Sequence, residues 1–513
     1  MIVVYHSDNK ITEVVSVNHQ KIKFDAGDAI ALGLQKLAIQ FPDQKLVWCH
    51  DAYKESLNLT GIDTVFYHPK MMLSYSPRDI IYFDTTIGYV EDSLFLKVKK
   101  EVRYPTWQMS SIAGVVHATL VLETKDKLKP DDNFDYYLNA VAKRCMPLGL
   151  LCYSEPALLK PTENCYSPKA STYKLFRFVK QHYKTKWVFL LFLNVMLYER
   201  KYPIFPMMYS LFFKKQDDRN LNLDRIKNES AISLVAKATV DVIIPTIGRE
   251  KYLYDFLLDL KSQTHLPANI IIIEQNPLQE SKSTLDYLTS ESWPFKINHI
   301  FTHQSGVCNA RNMALAHVTE EWIFFADDDI RIDADFIQRA IENIRKVGAK
   351  AVSVNCFQKG EQQKYNTIFQ WVGFGSGCSF VFSESLKNCK FGLGYEFGFG
   401  EDGDFGMQLR NQGCDVLYLP DPKILHLKAP IGGFRTKPVL QWQMDLIQPK
   451  PSPTVMLFLI SHRTKEQILG YKTTLFFKYY RLQKIKNPIR YLLNFNKQWQ
   501  QSMFWANELK KVG

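Results

Sequence analysis

Residues 321–330 read EWIFFADDDI, an apolar run driven straight into three consecutive carboxylates. Three like charges in a row repel one another, and a divalent cation is the partner that offsets that cost. At an extended strand end, residues i and i+2 face the same way. Asp327 and Asp329 can therefore converge on one Mg²⁺ or Mn²⁺. Hard cations of this kind take one or two carboxylates and fill their other positions with water and phosphate oxygens. Helix N-capping accounts for one Asp, not for three behind an apolar strand.

A second acidic cluster lies in YEFGFGEDGDFGMQLRNQG, where glycines 394, 398, 400 and 403 surround Glu401, Asp402 and Asp404. So much Gly lets backbone approach a ligand closely. The acids lead into a helix through Phe405, Leu409 and Arg410. Two roles stay open for them: a general base beside a bound ligand, and capping of that helix by Asp402 or Asp404.

The elements that position these acids alternate between two periods. VDVIIPTIGR is a β-rich run ending at Pro245 and Gly248, and YLYDFLLDLKSQ has helical periodicity. NIIIIEQN is a second apolar strand, GVCNARNMALAHV a helix entered after Gly306, and WIFFADDD the next strand. Fully apolar strands alternating with helices imply a parallel sheet covered on both faces. Ligands bind such sheets off the carboxyl ends of the strands, where Pro245, Glu274 and Asp327 fall.

Together these pieces resemble glycosyltransferase family 2, inverting enzymes of GT-A fold. The resemblance rests on IIPTIGR, GVCNARNMAL, the Asp-rich strand end, a Trp–Gly stretch and GEDGD, over about residues 240–430. It implies an α/β fold: a catalytic domain with a Rossmann-like, mostly parallel sheet. It implies that Thr246 and Arg249 line a nucleotide pocket, with Glu274 near the base, where the family usually has Asp. Arg311 would approach the diphosphate, since a planar guanidinium pairs well with phosphate oxygens. Asp327 and Asp329 form the DXD-type element and His426 is the candidate third metal ligand, although a lone His after a strand is also commonly structural. Asp402, with Glu401 beside it, would be the base that deprotonates an acceptor hydroxyl. Trp371, Gly375 and Gly377 would shape the acceptor subsite, with core packing the equal alternative for Trp371. The implied partners are a nucleotide-sugar donor and a glycan or lipid-linked glycan acceptor, and the implied cofactor is a divalent cation.

The first 160 residues read as a degenerate copy of the same plan. MIVVYHSD pairs with VDVIIPTI, KLVWCHDA with NIIIIEQN, and IIYFDTTIGY with WIFFADDDIR. TWQMSSIAGVVHATLVLE then pairs with QWVGFGSGCSFVFSES, and FDYYLNAVAKRC with GDFGMQLRNQGC. On this alignment the copy keeps one acid, Asp84, and has no counterpart to Glu401 and Asp402. The expected division is 1–160, a basic aromatic helical connector 161–235, the catalytic domain 236–438 and a basic amphipathic helical tail 439–513.

The 513 residues carry a net charge of +12, of which +9 lies after Pro438 (twelve Lys/Arg against three Asp/Glu). In the tail, Ile468, Tyr471, Leu475, Tyr479 and Leu482 recur at helical spacing beside Lys472, Lys478 and Arg481, the pattern of a membrane-surface helix or of a helix packed on the body. WVFLLFLNVMLY, residues 187–198, is too short to span a bilayer and reads as a buried helix or an interfacial one. Nine scattered cysteines with no CxxC, and no leader pattern at residue 1, suit a cytoplasmic protein, free or peripheral on the cytosolic face of a membrane. No nucleic-acid-binding module is present. Two rival functions share the fold class or the ligand: a sugar nucleotidyltransferase, for which IIPTIGRE is a poor nucleotide loop, and a non-catalytic glycan-binding protein.

Overall fold

The structure is a computed structural model that describes all residues except 19, 26, 79–80, 132, 164–165, 217–220, 431–437 and 513. It forms two compact units, Met1–Ile232 with Arg463–Tyr479, and Ser233–His462 with Tyr480–Gly513.

The first unit is built on β1 (Ile2–Ser7), β2 (Lys10–Ser16), β3 (Lys45–His50), β4 (Met71–Tyr75), β5 (Tyr104–Pro105), β6 (Ala113–His117) and β7 (Leu151–Ser154). Their order in the sheet is β2-β1-β3-β6-β4-β7-β5. The connector does not stand apart: Phe176, Phe178, Val179, Val188 and Leu191 are buried in the same core as Trp48, Trp107 and Phe134. Part of the tail belongs here too. Helix Lys465–Leu482 buries Gln467, Gly470 and Thr473, and of the face spaced through Ile468 and Leu482 only Leu475. Gln467 donates to the carbonyls of Glu91 (3.0 Å) and Ser93 (2.8 Å), and Thr473 donates to Asn194 (2.6 Å). A Cβ on Gly470 would lie 2.4 Å from the Tyr89 carbonyl oxygen, so Gly allows this approach.

The second unit holds β8 (Val240–Thr246), β9 (Asn269–Gln275), β10 (Lys296–Thr302), β11 (Trp322–Ala326), β12 (Ile330–Arg331), β13 (Ala351–Gln358), β14 (Phe369–Gln370), β15 (Cys378–Phe382) and β16 (Val416–His426). The order is β10-β9-β8-β11-β15-β13-β16-β12, with β14 also on β16. Strands β10, β9, β8 and β11 are parallel. Strands β8, β9 and β11 are almost wholly buried, as their unbroken Ile, Val and Phe content requires. This is a mixed α/β sheet, parallel over β10, β9, β8 and β11 and antiparallel where β15 joins β11 and β13.

The two sheets share a plan. β1-β3-β6-β4-β7-β5 and β8-β11-β15-β13-β16-β14 have the same chain order and the same parallel or antiparallel sense at every junction. The registers agree in detail. Thr106 N–H donates to Cys152 O as Trp371 N–H does to Val416 O, and Ser110 N–H meets Ser74 Oγ as Gly375 N–H meets Ser353 Oγ.

This pairing corrects two strand correspondences drawn from the sequence, and it sets FDYY against EDGD rather than GDFG, so that Asp135 matches Asp402 and not Asp404. KLVWCHDA (β3) matches WIFFADDD (β11), not NIIIIEQN (β9). IIYFDTTIGY is no strand over its described residues; Asp84 has φ 46° and caps the short helical turn Thr85–Tyr89. Among its described residues the first unit has no equivalent of β9 and β10: β2 occupies the edge beside β1. Apolar strands of similar length look alike in sequence, so a missing pair shifts the alignment unseen.

Candidate active site

A cavity of about 530 Å³ opens at the carboxyl ends of β8 and β11. Thr246, Arg249, Arg311, Asp327, Asp329, Gly377, Glu401, Asp402 and His426 line it, as do Asp328, Gln275 and Lys428. Glu274, Trp371 and Gly375 do not. Glu274 turns to Ser283 Oγ (2.5 Å) and His299 Nε2 (2.9 Å); burial works to raise its carboxyl, but these partners hold it below the ordinary value. Trp371 packs near Tyr418, and its carbonyl accepts from Arg410.

The three aspartates divide the labour by alternation along the strand end. Asp328 points inward, 2 % exposed, and accepts from Thr246 Oγ1 (2.6 Å) and Arg249 (2.7 Å). Burial pushes its carboxyl up to about 6. Asp327 and Asp329 face the cavity side with His426, and one ligating atom from each lies within 4.8 Å of the others. Asp329 Oδ2 accepts from the Ala429 amide (2.8 Å), while its buried Oδ1 has no hydrogen bond and lies 3.2 Å from His426 Nε2. Burial favours a neutral Asp329, but His426, the Ala429 amide and Arg249 outweigh it and hold the carboxyl below the ordinary range. The Asp329 carboxylate beside it in turn raises His426. Two carboxylates and an imidazole around an orphaned oxygen fit a Mn²⁺- or Mg²⁺-sized cation. A Cβ on Gly377 would lie 2.2 Å from Asp327 Oδ2, so Gly at 377 makes room for this carboxylate.

Arg311 donates to Asp327 Oδ1 (3.1 Å) from the helix Val307–Leu315. That helix is held by a residue the sequence reading passed over. Glu396 accepts from the Cys308 (3.1 Å) and Asn309 (3.0 Å) amides, capping the helix N-terminus from a distant loop. Gly306, at φ 142°, gives it space: a Cβ there would meet the Glu396 carboxyl carbon at 2.5 Å. The Glu lies in the quoted YEF motif, but only the contact reveals its role.

The helix Glu401–Asn411, which also lines the cavity, starts from Gly400 in the left-handed region. Its second residue, Asp402, accepts from the Ser376 amide (3.3 Å) and hydroxyl. Burial raises Asp402, and raises Glu401 to about 7. Asp404 is turned away, to Tyr395, Gln408 (2.7 Å) and His462 (2.6 Å).

Residues 241–392 match the family model described as glycosyl transferase family 2. The chain thus carries a family 2 glycosyltransferase domain on a GT-A-type sheet. The succinoglycan biosynthesis protein ExoM of Rhizobium meliloti (strain 1021) is 24 % identical over 169 residues, which are 29 % of this chain and 54 % of that protein. The chain thus spans about half the length of this curated relative. Among solved structures, S. aureus TarS 1–349 in complex with UDP-GlcNAc aligns at TM-score 0.35 and 17 % identity, over 46 % of this chain and 70 % of that one. GalNAc-T7 with UDP, GalNAc and Mn²⁺ aligns at TM-score 0.35 and 11 % identity, over 50 % and 54 %.

Proposed function

We propose that the second unit transfers a sugar, with inversion, from a nucleotide-sugar to a glycan or lipid-linked glycan acceptor in polysaccharide synthesis. The observation that carries this reading is one cavity lined both by Asp327, Asp329 and His426 and by the raised carboxyl of Asp402. A divalent cation held by the first three would neutralise the diphosphate leaving group. Arg311, positioned by Glu396, pairs with phosphate oxygens. Asp328 holds Arg249 and Thr246 at the nucleotide end. Asp402 takes the acceptor hydroxyl proton, and Ser376 orients its carboxylate. Attack then comes from the face opposite the leaving group, which inverts the anomeric carbon.

The orphaned Asp329 oxygen and the paired carboxylates favour transfer over simple glycan binding. Release of UDP, GDP or dTDP from a panel of nucleotide-sugars, with Mn²⁺ and with EDTA, tests the reading. Mn²⁺-dependent release from one donor is expected; release that persists in excess EDTA contradicts the metal assignment, and no release from any donor contradicts transfer.

A lipid-linked acceptor would place the enzyme peripherally at an anionic membrane, on the cytosolic face. No described helix is long and apolar enough to cross a membrane. The tail supports a peripheral contact: Leu482, Ile489 and Leu493 are exposed among Arg481, Lys484, Lys486 and Arg490.

A further inference from the structure

We infer that the first unit carries its own lipid-binding face, formed by the helices Lys186–Asn194 and Ile204–Leu211 and the turn between them. One side of this segment is ordinary core: Val188, Leu191 and Val195 are at most 4 % exposed. The other side is apolar and uncovered. Phe189 is 50 % exposed, Leu197 52 %, Tyr202 68 %, Phe205 76 %, Met208 53 % and Phe212 87 %. The spacing explains how one patch forms: Phe189 and Leu197 lie two helical turns apart, and Phe205, Met208 and Phe212 follow at intervals of three and four. The run 187–198, open between buried and interfacial by sequence, is both, and its outer face continues through residue 212.

An exposed apolar patch of this size marks an interaction surface. The charges around it say which kind. Lys184, Lys186, Arg200, Lys201, Lys214 and Lys215 are all exposed, and Glu199 is the lone acid between residues 184 and 215. Glu199 is itself paired with Lys201 at 2.9 Å. Large aromatics bordered by cations match a bilayer interface, whose acyl boundary takes the rings while anionic headgroups take the Lys and Arg side chains. A second copy of this chain would bring the same positive rim against itself, which is unfavourable. The segment is far too short to span, so attachment is in the interfacial plane. This inference is independent of the transferase reading: losing the patch detaches the protein without touching the cavity.

The test is co-sedimentation of the full chain with phosphatidylserine-containing vesicles and with pure phosphatidylcholine vesicles. The variant is Phe205→Glu with Phe212→Glu, both at exposed positions, checked for an unchanged melting temperature. A tail variant, Lys484→Glu with Lys486→Glu, separates this face from the other basic region. The parent is expected to pellet with the anionic vesicles and release at high salt. The Phe variant should lose at least about tenfold in partitioning, since two apolar rings leave the acyl boundary and two carboxylates face the anionic headgroups in their place. Equal pelleting by parent and Phe variant overturns the inference, as does a parent that ignores anionic vesicles. A parent that dimerises in solution, with the Phe variant monomeric, assigns the face to a second copy and overturns it too.

Discussion

The two units place a carboxylate at the same point of the same topology and surround it differently. Asp135 is the second residue of helix Phe134–Cys145, as Asp402 is of Glu401–Asn411. Ser111 donates to Asp135 through its amide and hydroxyl, both at 2.8 Å, as Ser376 does to Asp402. Ser111 stands two residues before Ala113, the partner of Cys49; Ser376 stands two before Cys378, the partner of Ala326. His50, Asp51 and Ala52 therefore occupy the places of Asp327, Asp328 and Asp329. The expectation that the first copy has nothing in place of Asp402 is corrected: the acid and its serine persist. Asp51 persists too, in the place of Asp328, but His50 and Ala52 stand where Asp327 and Asp329 would hold a cation, and the space is gone. A ring of Tyr166 stacks on His50 at 3.9 Å, the cavity touching Asp135 is about 20 Å³, and among the described residues no strands match β9 and β10. Room for about one water excludes a sugar. The Ser–Asp contact thus ties a loop to the first turn of a helix in both units, and only in the second does a cavity of about 530 Å³ face it.

The largest effect that separates the units is expected at the cation site. Asp329→Ala should abolish turnover and Mn²⁺ binding while the protein still folds, because only one carboxylate and one imidazole remain. Metal titration and a melting curve check it together; turnover at the parental rate would move the cation elsewhere.

Asp402→Asn keeps the shape and the Ser376 contact but accepts no proton. Transfer should fall at least about 100-fold with donor binding retained. In the parent, the raised Asp402 must be ionised to act, so the rate should climb as pH rises through its elevated pKa. A pH–rate profile flat across that range, or lost donor affinity in the variant, would assign Asp402 to another role.

Asp135→Asn should leave turnover within a few-fold of the parent and change stability instead. Burial pushes the Asp135 carboxyl up to about 6, above its unfolded value. Its contribution is thus fullest below about 4 and is lost as pH rises through about 6. Melting temperatures across that window should show the variant gaining on the parent as pH rises. A variant with normal melting and a large loss of transfer would make the first unit catalytic.

Asp84→Ala should be the mildest, within a few-fold in rate. Asp84 is an exposed cap whose carboxylate accepts from the Thr86 amide at 2.7 Å.

The contrast between units also explains what could be read from sequence. The second unit kept Asp327–Asp329 behind an apolar strand and GEDGD before a helix, signals that are chemical and local, and the fold class followed from them. Gly377 and Gly306 could be named as glycines, but the carboxylates they accommodate, Asp327 and Glu396, come from elsewhere in the chain. Glu274 and Trp371 were placed by motif position, and their rotation away from the cavity depends on His299, Ser283 and Arg410. In the first unit the acids are dispersed, and β3 matched β11 only once pairing was known. The domain limits expected at 160, 235 and 438 missed that connector and part of the tail fold into one core with the N-terminal sheet.

The central claim is that one unit of the two acts on a nucleotide-sugar. Counting nucleotide sites tests it most directly, by calorimetric titration of UDP, GDP and dTDP into the full chain with Mn²⁺, repeated on Asp329→Ala and Asp135→Asn. The account predicts one site per chain, absent in Asp329→Ala and intact in Asp135→Asn. Two sites per chain, or a single site that survives Asp329→Ala and disappears in Asp135→Asn, would contradict it.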